Sequence, residues 1–273
     1  MIRKINRRVF KFFFLLFIFI YLQVSAVVAQ TSSEIKRMQW TVGDTKREAL
    51  VYIPATAKTK ISPLIFVFHG HGGTMENAYR SHQFDKLWPE AIVVYPQGLN
   101  TPGQLTDPQG KLSGWQKENG DMNNRDLNFF DQMLKTFKED YKIDDKRIYA
   151  TGHSNGGGFT YLLWATRADV FAAFAPSSAV ARKVAGQLKP KPAMHIMGEK
   201  DPLVKPAWQK LMCNLILKLN SCDAEGKPYG AYATYYPSES GNPVILYVHP
   251  GGHVYPTAAD EVVVKFFKGI EKQ

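Results

Sequence analysis

Apolar and polar residues alternate over 38–42, and a strand-like stretch rich in apolar residues follows over 48–53, on the other side of Gly43-Asp44. This period of two predicts an antiparallel hairpin early in the chain. After it the rhythm changes. Short apolar runs over 64–68, 92–95, 147–150, 171–175, 193–197 and 244–248 read as buried strands. Longer stretches over 75–88, 126–141, 206–219 and 258–270, with another directly after Ser154, read as helices. Strands and helices in alternation predict an α/β chain whose mainly parallel, doubly wound sheet carries helices on both faces. No internal repeat or low-complexity tract interrupts the pattern.

The first 29 residues follow a different logic. Arg3, Lys4, Arg7, Arg8 and Lys11 form a basic start, residues 12–22 are wholly apolar, and Val27-Val28-Ala29 offers a small-residue cleavage site. An apolar run of 11 residues is short against the roughly 20 that span a bilayer. Residues 1–29 are therefore expected to be a signal peptide cleaved before Gln30, with 30–273 a single domain. A membrane anchor extended through Val28 is the alternative.

Without the leader the formal charge falls from +10 to +5, and the remaining Lys and Arg do not cluster with aromatics, which speaks against nucleic-acid binding. Export would allow Cys213 and Cys222 to pair. A helix through Leu219 opposes this, since nine residues at a helical rise place the α-carbons about 13 Å apart against a limit of about 7 Å. The bond needs the helix to end near Leu217.

Candidate chemistry begins at Gly152-His153-Ser154-Asn155-Gly156, which fits G-x-S-x-G directly after a strand. A sharp strand-to-helix turn holds the serine in a strained backbone conformation that only small neighbours permit, and the next helix points its dipole at a developing oxyanion. The usual chain order then requires an acid and a histidine. Asp201 leaves the end of the strand over 193–197, and His253 follows the strand over 244–248. Asp169 and Asp260 are the rival acids, but the first precedes the wrong strand and the second follows the histidine inside a helix. The segment His69-Gly70-His71-Gly72-Gly73 has the composition of an oxyanion loop, which assigns that role to the backbone N–H groups of His71 and Asn155. Neither His69 with His71 nor His249 with His253 has an acid or cysteine between its members, so no metal is expected. His195 alternates with Met194 and Ile196 and reads as a hydrogen-bonded core residue.

On these residues the chain resembles the α/β-hydrolase superfamily. More narrowly, it is similar to the secreted esterase family of feruloyl esterases, acetyl xylan esterases and polyhydroxybutyrate depolymerases. Further carriers are Tyr95-Pro96-Gln97-Gly98, Gly114-Trp115, Asp126-Leu127-Asn128-Phe129-Phe130, Phe171-Ala172-Ala173-Phe174-Ala175-Pro176 and Gly251-Gly252-His253-Val254-Tyr255-Pro256. The resemblance covers roughly residues 48–267. The chain departs from its relatives at Gly158, where many carry a bulky residue, and at Tyr255, where many carry Trp.

The resemblance implies a secreted or periplasmic serine esterase, monomeric and without a cofactor, acting through Ser154, His253 and Asp201. Feruloyl or acetyl esters of plant polysaccharide are the leading substrates, and polyhydroxybutyrate follows. A serine peptidase and a non-catalytic carbohydrate-binding protein are the remaining readings. Only residues 176–192 separate two core strands where many lipases insert a lid, so no lid domain is expected. The segment over 96–125 is the expected cleft wall, with Trp115 either its candidate substrate-binding aromatic or a ring packed beneath the loop.

Overall fold

The computed structural model describes residues 33–103 and 107–272. The predicted leader, its cleavage site and the anchor alternative lie outside the described residues.

In chain order the strands are β1 (Glu34–Val42), β2 (Thr45–Ile53), β3 (Ser62–Phe68), β4 (Ile92–Pro96), the short β5 (Leu99–Asn100) and β6 (Ser113–Gly114), and β7 (Ile143–His153). They continue with β8 (Ala173–Ser177), β9 (Ala193–Gly198), β10 (Lys227–Gly230), β11 (Ala233–Tyr236) and β12 (Val244–His249). Ten of them form one sheet in the order β1-β2-β4-β3-β7-β8-β9-β12-β11-β10. The six central strands from β4 to β12 are parallel, and an antiparallel pair closes each edge. This is the α/β-hydrolase architecture, with the N-terminal hairpin in the place its alternation predicts.

Strand β3 shows why the central runs lack alternation. Every residue of Ser62–Phe68 is buried. Leu64, Phe66 and Phe68 enter one core with Phe130, Phe137 and Phe159, while Ile65 and Val67 enter the opposite core with Tyr95, Tyr149 and Phe267. A parallel strand covered by helices on both sides needs apolar side chains at both parities.

Two features depart from the expected elements. The stretch over 75–88 is not one helix: Met75–Ser81 ends at His82, which is extended, and Phe84–Leu87 forms a separate turn. Asp260 causes the break by accepting from the Gln83 N–H at 2.8 Å and meeting His82 Nδ1 at 3.0 Å. The second is the pair β10 and β11, whose exposed, irregular sequence carries little period-two signal. It is held instead by pairing of β11 with β12 and by stacking of Tyr229 on Tyr235 at 5.9 Å. The helix Pro206–Leu219 has its expected bounds, and Cys213 and Cys222 are free thiols.

The loop between β4 and the helix Arg125–Asp140 is held from beneath by a buried ion pair. Arg47 on β2 donates to Asp126 Oδ1 at 2.8 Å, and both residues are at most 2% exposed. Burial pulls the Arg47 pKa down more strongly than Asp126 lifts it. The Arg47 carbon centre also lies 4.2 Å from the Phe129 ring centroid. Asp126 Oδ2 accepts from the Gln116 N–H at 2.8 Å, and Gln116 Oε1 accepts from the N–H groups of Asp126 and Leu127, each at 3.0 Å. The segment carrying Trp115 and Lys117 is thereby tied to the sheet.

Candidate active site

Strand β7 ends in the turn that carries Ser154, whose backbone adopts φ 55 and ψ −117, and the helix Asn155–Arg167 begins at the next residue. This left-handed φ stores strain of the kind found at functional turns. The close packing around it explains the two glycines. A β-carbon at Gly152 would meet the Gly156 carbonyl at 2.5 Å, and one at Gly156 would fall on the Phe68 carbonyl oxygen.

Asp201 follows β9 and His253 follows β12, the parallel neighbour of β9. The carboxyl ends of these strands bring the three residues together, as expected for ligand sites in open α/β sheets. His253 Nε2 lies 2.8 Å from Ser154 Oγ, and His253 Nδ1 lies 2.9 Å from Asp201 Oδ2 and 3.0 Å from Oδ1. The Asp201 carboxylate also accepts from the N–H groups of Leu203 and Val204, each at 2.9 Å, and from the Gln209 amide at 3.1 Å. The acid is 3% exposed, so its charge depends on these donors. Asp169 and Asp260 lie elsewhere: Asp169 is 3.7 Å from Lys189, and Asp260 binds His82, Gln83 and the Tyr255 hydroxyl.

A second histidine, His153, has its ring centroid 5.0 Å from that of His253. Burial, reinforced by the nearby His253, lowers its pKa to about 3, so it is neutral at physiological pH. Its Nδ1 lies 3.2 Å from Ser177 Oγ. The sequence signal for His153 is only its place inside the elbow motif, which does not distinguish a packing ring from a proton carrier.

Ser154, His253, His71, Asn155 and Gly158 line one cleft with a volume of about 110 Å³. Asn155 opens the elbow helix, and His71 sits in the turn between Gly70 and Gly72. Among the described residues, neither backbone N–H donates to a backbone carbonyl outside the helix and strand ladders. Gly158 has no atom within 4 Å of where a side chain would start, so the cleft is open at this position.

The Asn155 side chain has a separate task. Its Oδ1 accepts from the Trp115 N–H at 2.6 Å and its Nδ2 donates to the Trp115 carbonyl at 3.1 Å. Trp115 is the residue whose substrate-binding role the structure corrects. Its side chain is 0% exposed, stacks on Phe159 at 5.3 Å and donates from Nε1 to the His69 carbonyl at 2.9 Å. A ring sealed in this way cannot touch substrate. It packs beneath the cleft because an indole in the core needs one acceptor, and the bend at His69 supplies it.

His69 is fixed from both sides. Its Nε2 accepts from the Gly98 N–H at 2.9 Å, so Nδ1 carries the proton and donates to the Gly70 carbonyl at 2.7 Å. Burial lowers its pKa to about 4. Among the described residues no group of three or more His, Cys, Asp or Glu is arranged to hold a metal ion.

No family model matches the chain. The probable feruloyl esterase C of Aspergillus flavus is 28% identical over 218 residues, covering 76% of each chain. The bifunctional acetylxylan esterase/xylanase XynS20E of Neocallimastix patriciarum is 31% identical over 179 residues, or 60% of this chain and 24% of that protein. Among solved structures, the acetyl xylan esterase from Aspergillus awamori superposes with a TM-score of 0.63 at 15% identity, covering 85% of this chain and 99% of that one.

Proposed function

We infer that the chain is a serine esterase of the feruloyl/acetyl-esterase-like kind within the α/β-hydrolase superfamily. On that footing we propose that it cleaves feruloyl or acetyl esters carried on plant polysaccharide, through an acyl-enzyme on Ser154. The observation that carries the reading is His253 bridging Ser154 and Asp201, with 2.8 Å on one side and 2.9 Å on the other.

In this mechanism Ser154 Oγ attacks the ester carbonyl while His253 Nε2 takes the hydroxyl proton. Asp201 keeps the other imidazole proton on Nδ1 and stabilises the imidazolium. The oxyanion of the tetrahedral intermediate receives hydrogen bonds from the backbone N–H groups of Asn155 and His71. His253 then returns its proton to the leaving alcohol, and water repeats the sequence on the acyl-enzyme to release the acid.

Export fits a polymer-bound substrate, which cannot readily enter a cell. Intact mass of the exported protein should start at Gln30, whereas full-length chain found solely in membranes would make residues 1–29 an anchor. The substrate test is a panel of methyl ferulate, acetylated xylan, p-nitrophenyl acetate and amorphous polyhydroxybutyrate. Turnover of ferulate or acetylated xylan supports the reading. Turnover of the polyester alone replaces it with a depolymerase.

A further inference from the structure

The cleft beside Ser154 is charged on one side only. Its apolar wall includes Ala179, Val180, Leu203 and Val204, and among the described lining residues Lys117 and Arg182 are the ionic side chains, with no Asp or Glu. Lys117 Nζ donates to the Pro102 carbonyl at 2.7 Å, a neutral acceptor that leaves the ammonium charge in place. Partial burial, and then the neighbouring Arg182 charge, pull the Lys117 pKa down, opposed by Asp121 and Glu118.

Those two acids are committed elsewhere. Glu118 pairs with Lys183 at 2.9 Å, and Asp121 Oδ2 accepts from the N–H groups of Lys117 and Glu118 at 3.2 and 3.1 Å. Two further features mark this wall. Ser178 and Arg182, at φ 47 and 49, hold left-handed backbone without being glycine, a conformation that clusters at ligand sites. The Ser178 hydroxyl is buried in the cleft wall with no hydrogen-bond partner. Two like charges on the wall of one cleft, close enough to repel each other, are an arrangement that an anion completes.

We propose that Lys117 and Arg182 form a subsite for a carboxylate, so that the favoured substrate is an ester carrying a carboxylate near its scissile bond. The proposal rests on the serine-esterase reading and narrows it. The carboxylate belongs either to the acyl part, as in a half-ester of a dicarboxylic acid, or to the alcohol part, as in a uronic acid next to an acetylated sugar. Both present the same charge to the same two cations.

The experiment compares kcat/KM within matched pairs. One arm sets mono-p-nitrophenyl succinate against p-nitrophenyl butyrate, and the other sets acetylated xylo-oligosaccharides with glucuronic acid against those without. The carboxylate should raise kcat/KM by roughly tenfold in at least one arm, the size of one charge-assisted contact, and the gain should shrink in 0.5 M salt. The arm that responds identifies the source.

In Lys117→Gln and Arg182→Gln the charged-to-neutral ratio should fall several-fold toward unity, and in Lys117→Glu it should drop below one. Because each ratio is taken within one variant, partial misfolding does not change it. Should the variants fail to fold, inhibition of the wild type by free succinate, compared with butyrate, takes their place. Ratios near unity in both arms, with no preferential inhibition by succinate, overturn the carboxylate subsite while leaving the esterase intact. Failure to hydrolyse any ester, charged or neutral, would instead overturn the esterase reading.

Discussion

Gln209 points its amide nitrogen at Asp201 Oδ2, 3.1 Å away, and at the Val204 carbonyl, 2.7 Å away. Two acceptors on one side settle the orientation of the amide, since only the NH₂ end can satisfy both. Gln209 Oε1 therefore faces His195 Nε2 at 3.2 Å, and that nitrogen carries the proton. Burial lowers the His195 pKa to about 4, so the ring is neutral and its bare Nδ1 accepts from the Tyr161 hydroxyl at 2.7 Å. Tyr161 belongs to the helix that starts beside Ser154. A single line of donors thus runs from the nucleophile's helix to the acid.

Gln209→Leu should lower kcat for ester hydrolysis roughly tenfold with KM little changed, as for loss of one hydrogen bond to a buried carboxylate. Tyr161→Phe should have a smaller effect on turnover, because His195 Nε2 still donates to Gln209 Oε1 and Asp201 and Val204 still hold the amide. Turnover is to be expressed per fluorophosphonate-reactive site. A full kcat per reactive site would show that Gln209 serves only the fold.

Ser154→Ala and His253→Ala should each remove nearly all turnover, on the order of 10⁶-fold, because the residues act as one unit. Fluorophosphonate should label the parent protein on Ser154 and leave the alanine variant unlabelled. Retention of more than about a hundredth of the rate in Ser154→Ala would move the nucleophile elsewhere, since loss of a covalent step cannot be that mild.

Acid should destabilise the fold in a defined window. His69 and His195 are lowered to about 4 and His153 to about 3, each chiefly by burial, from an ordinary value near 6.5. Between those limits the unfolded chain binds protons that the native chain refuses, so stability rises with pH through this window and falls as pH drops from about 6.5 toward 4. Melting temperature should decline across that range and level off above pH 7. An unchanged melting temperature between pH 7 and pH 5 would contradict the neutral buried rings.

Arg47→Ala should destabilise by about 3–5 kcal/mol, because it leaves Asp126 buried without its partner. Replacing both residues, as Arg47→Met with Asp126→Leu, should cost less than the single change. Urea unfolding of the two variants compares them directly. A single substitution within about 0.5 kcal/mol of the parent would mean that water reaches the pair.

Neither cysteine should react readily with iodoacetamide in the native protein at pH 8. Burial pushes the thiol pKa up to about 12 at Cys213 and about 11 at Cys222, which leaves little thiolate. Both should alkylate in urea without prior reduction. A requirement for reductant would reveal a disulfide.

What the sequence determined by itself is what short-range physics encodes. The hairpin around Gly43 follows from alternation, the parallel strands from runs apolar at both parities, and the elbow from two glycines around a serine. The chain order of Ser154, Asp201 and His253 was legible because all three stand just beyond strand-like runs. Tertiary structure decided the partners. His82 meets Asp260 across 178 residues, Arg47 meets Asp126 across 79, and Trp115 lies sealed between His69 and Phe159 instead of lining the cleft. An aromatic in a polar loop carries the same local signal whether it turns outward or inward. Only the space left by the packed helices, and the one carbonyl within reach of its indole, choose between the two.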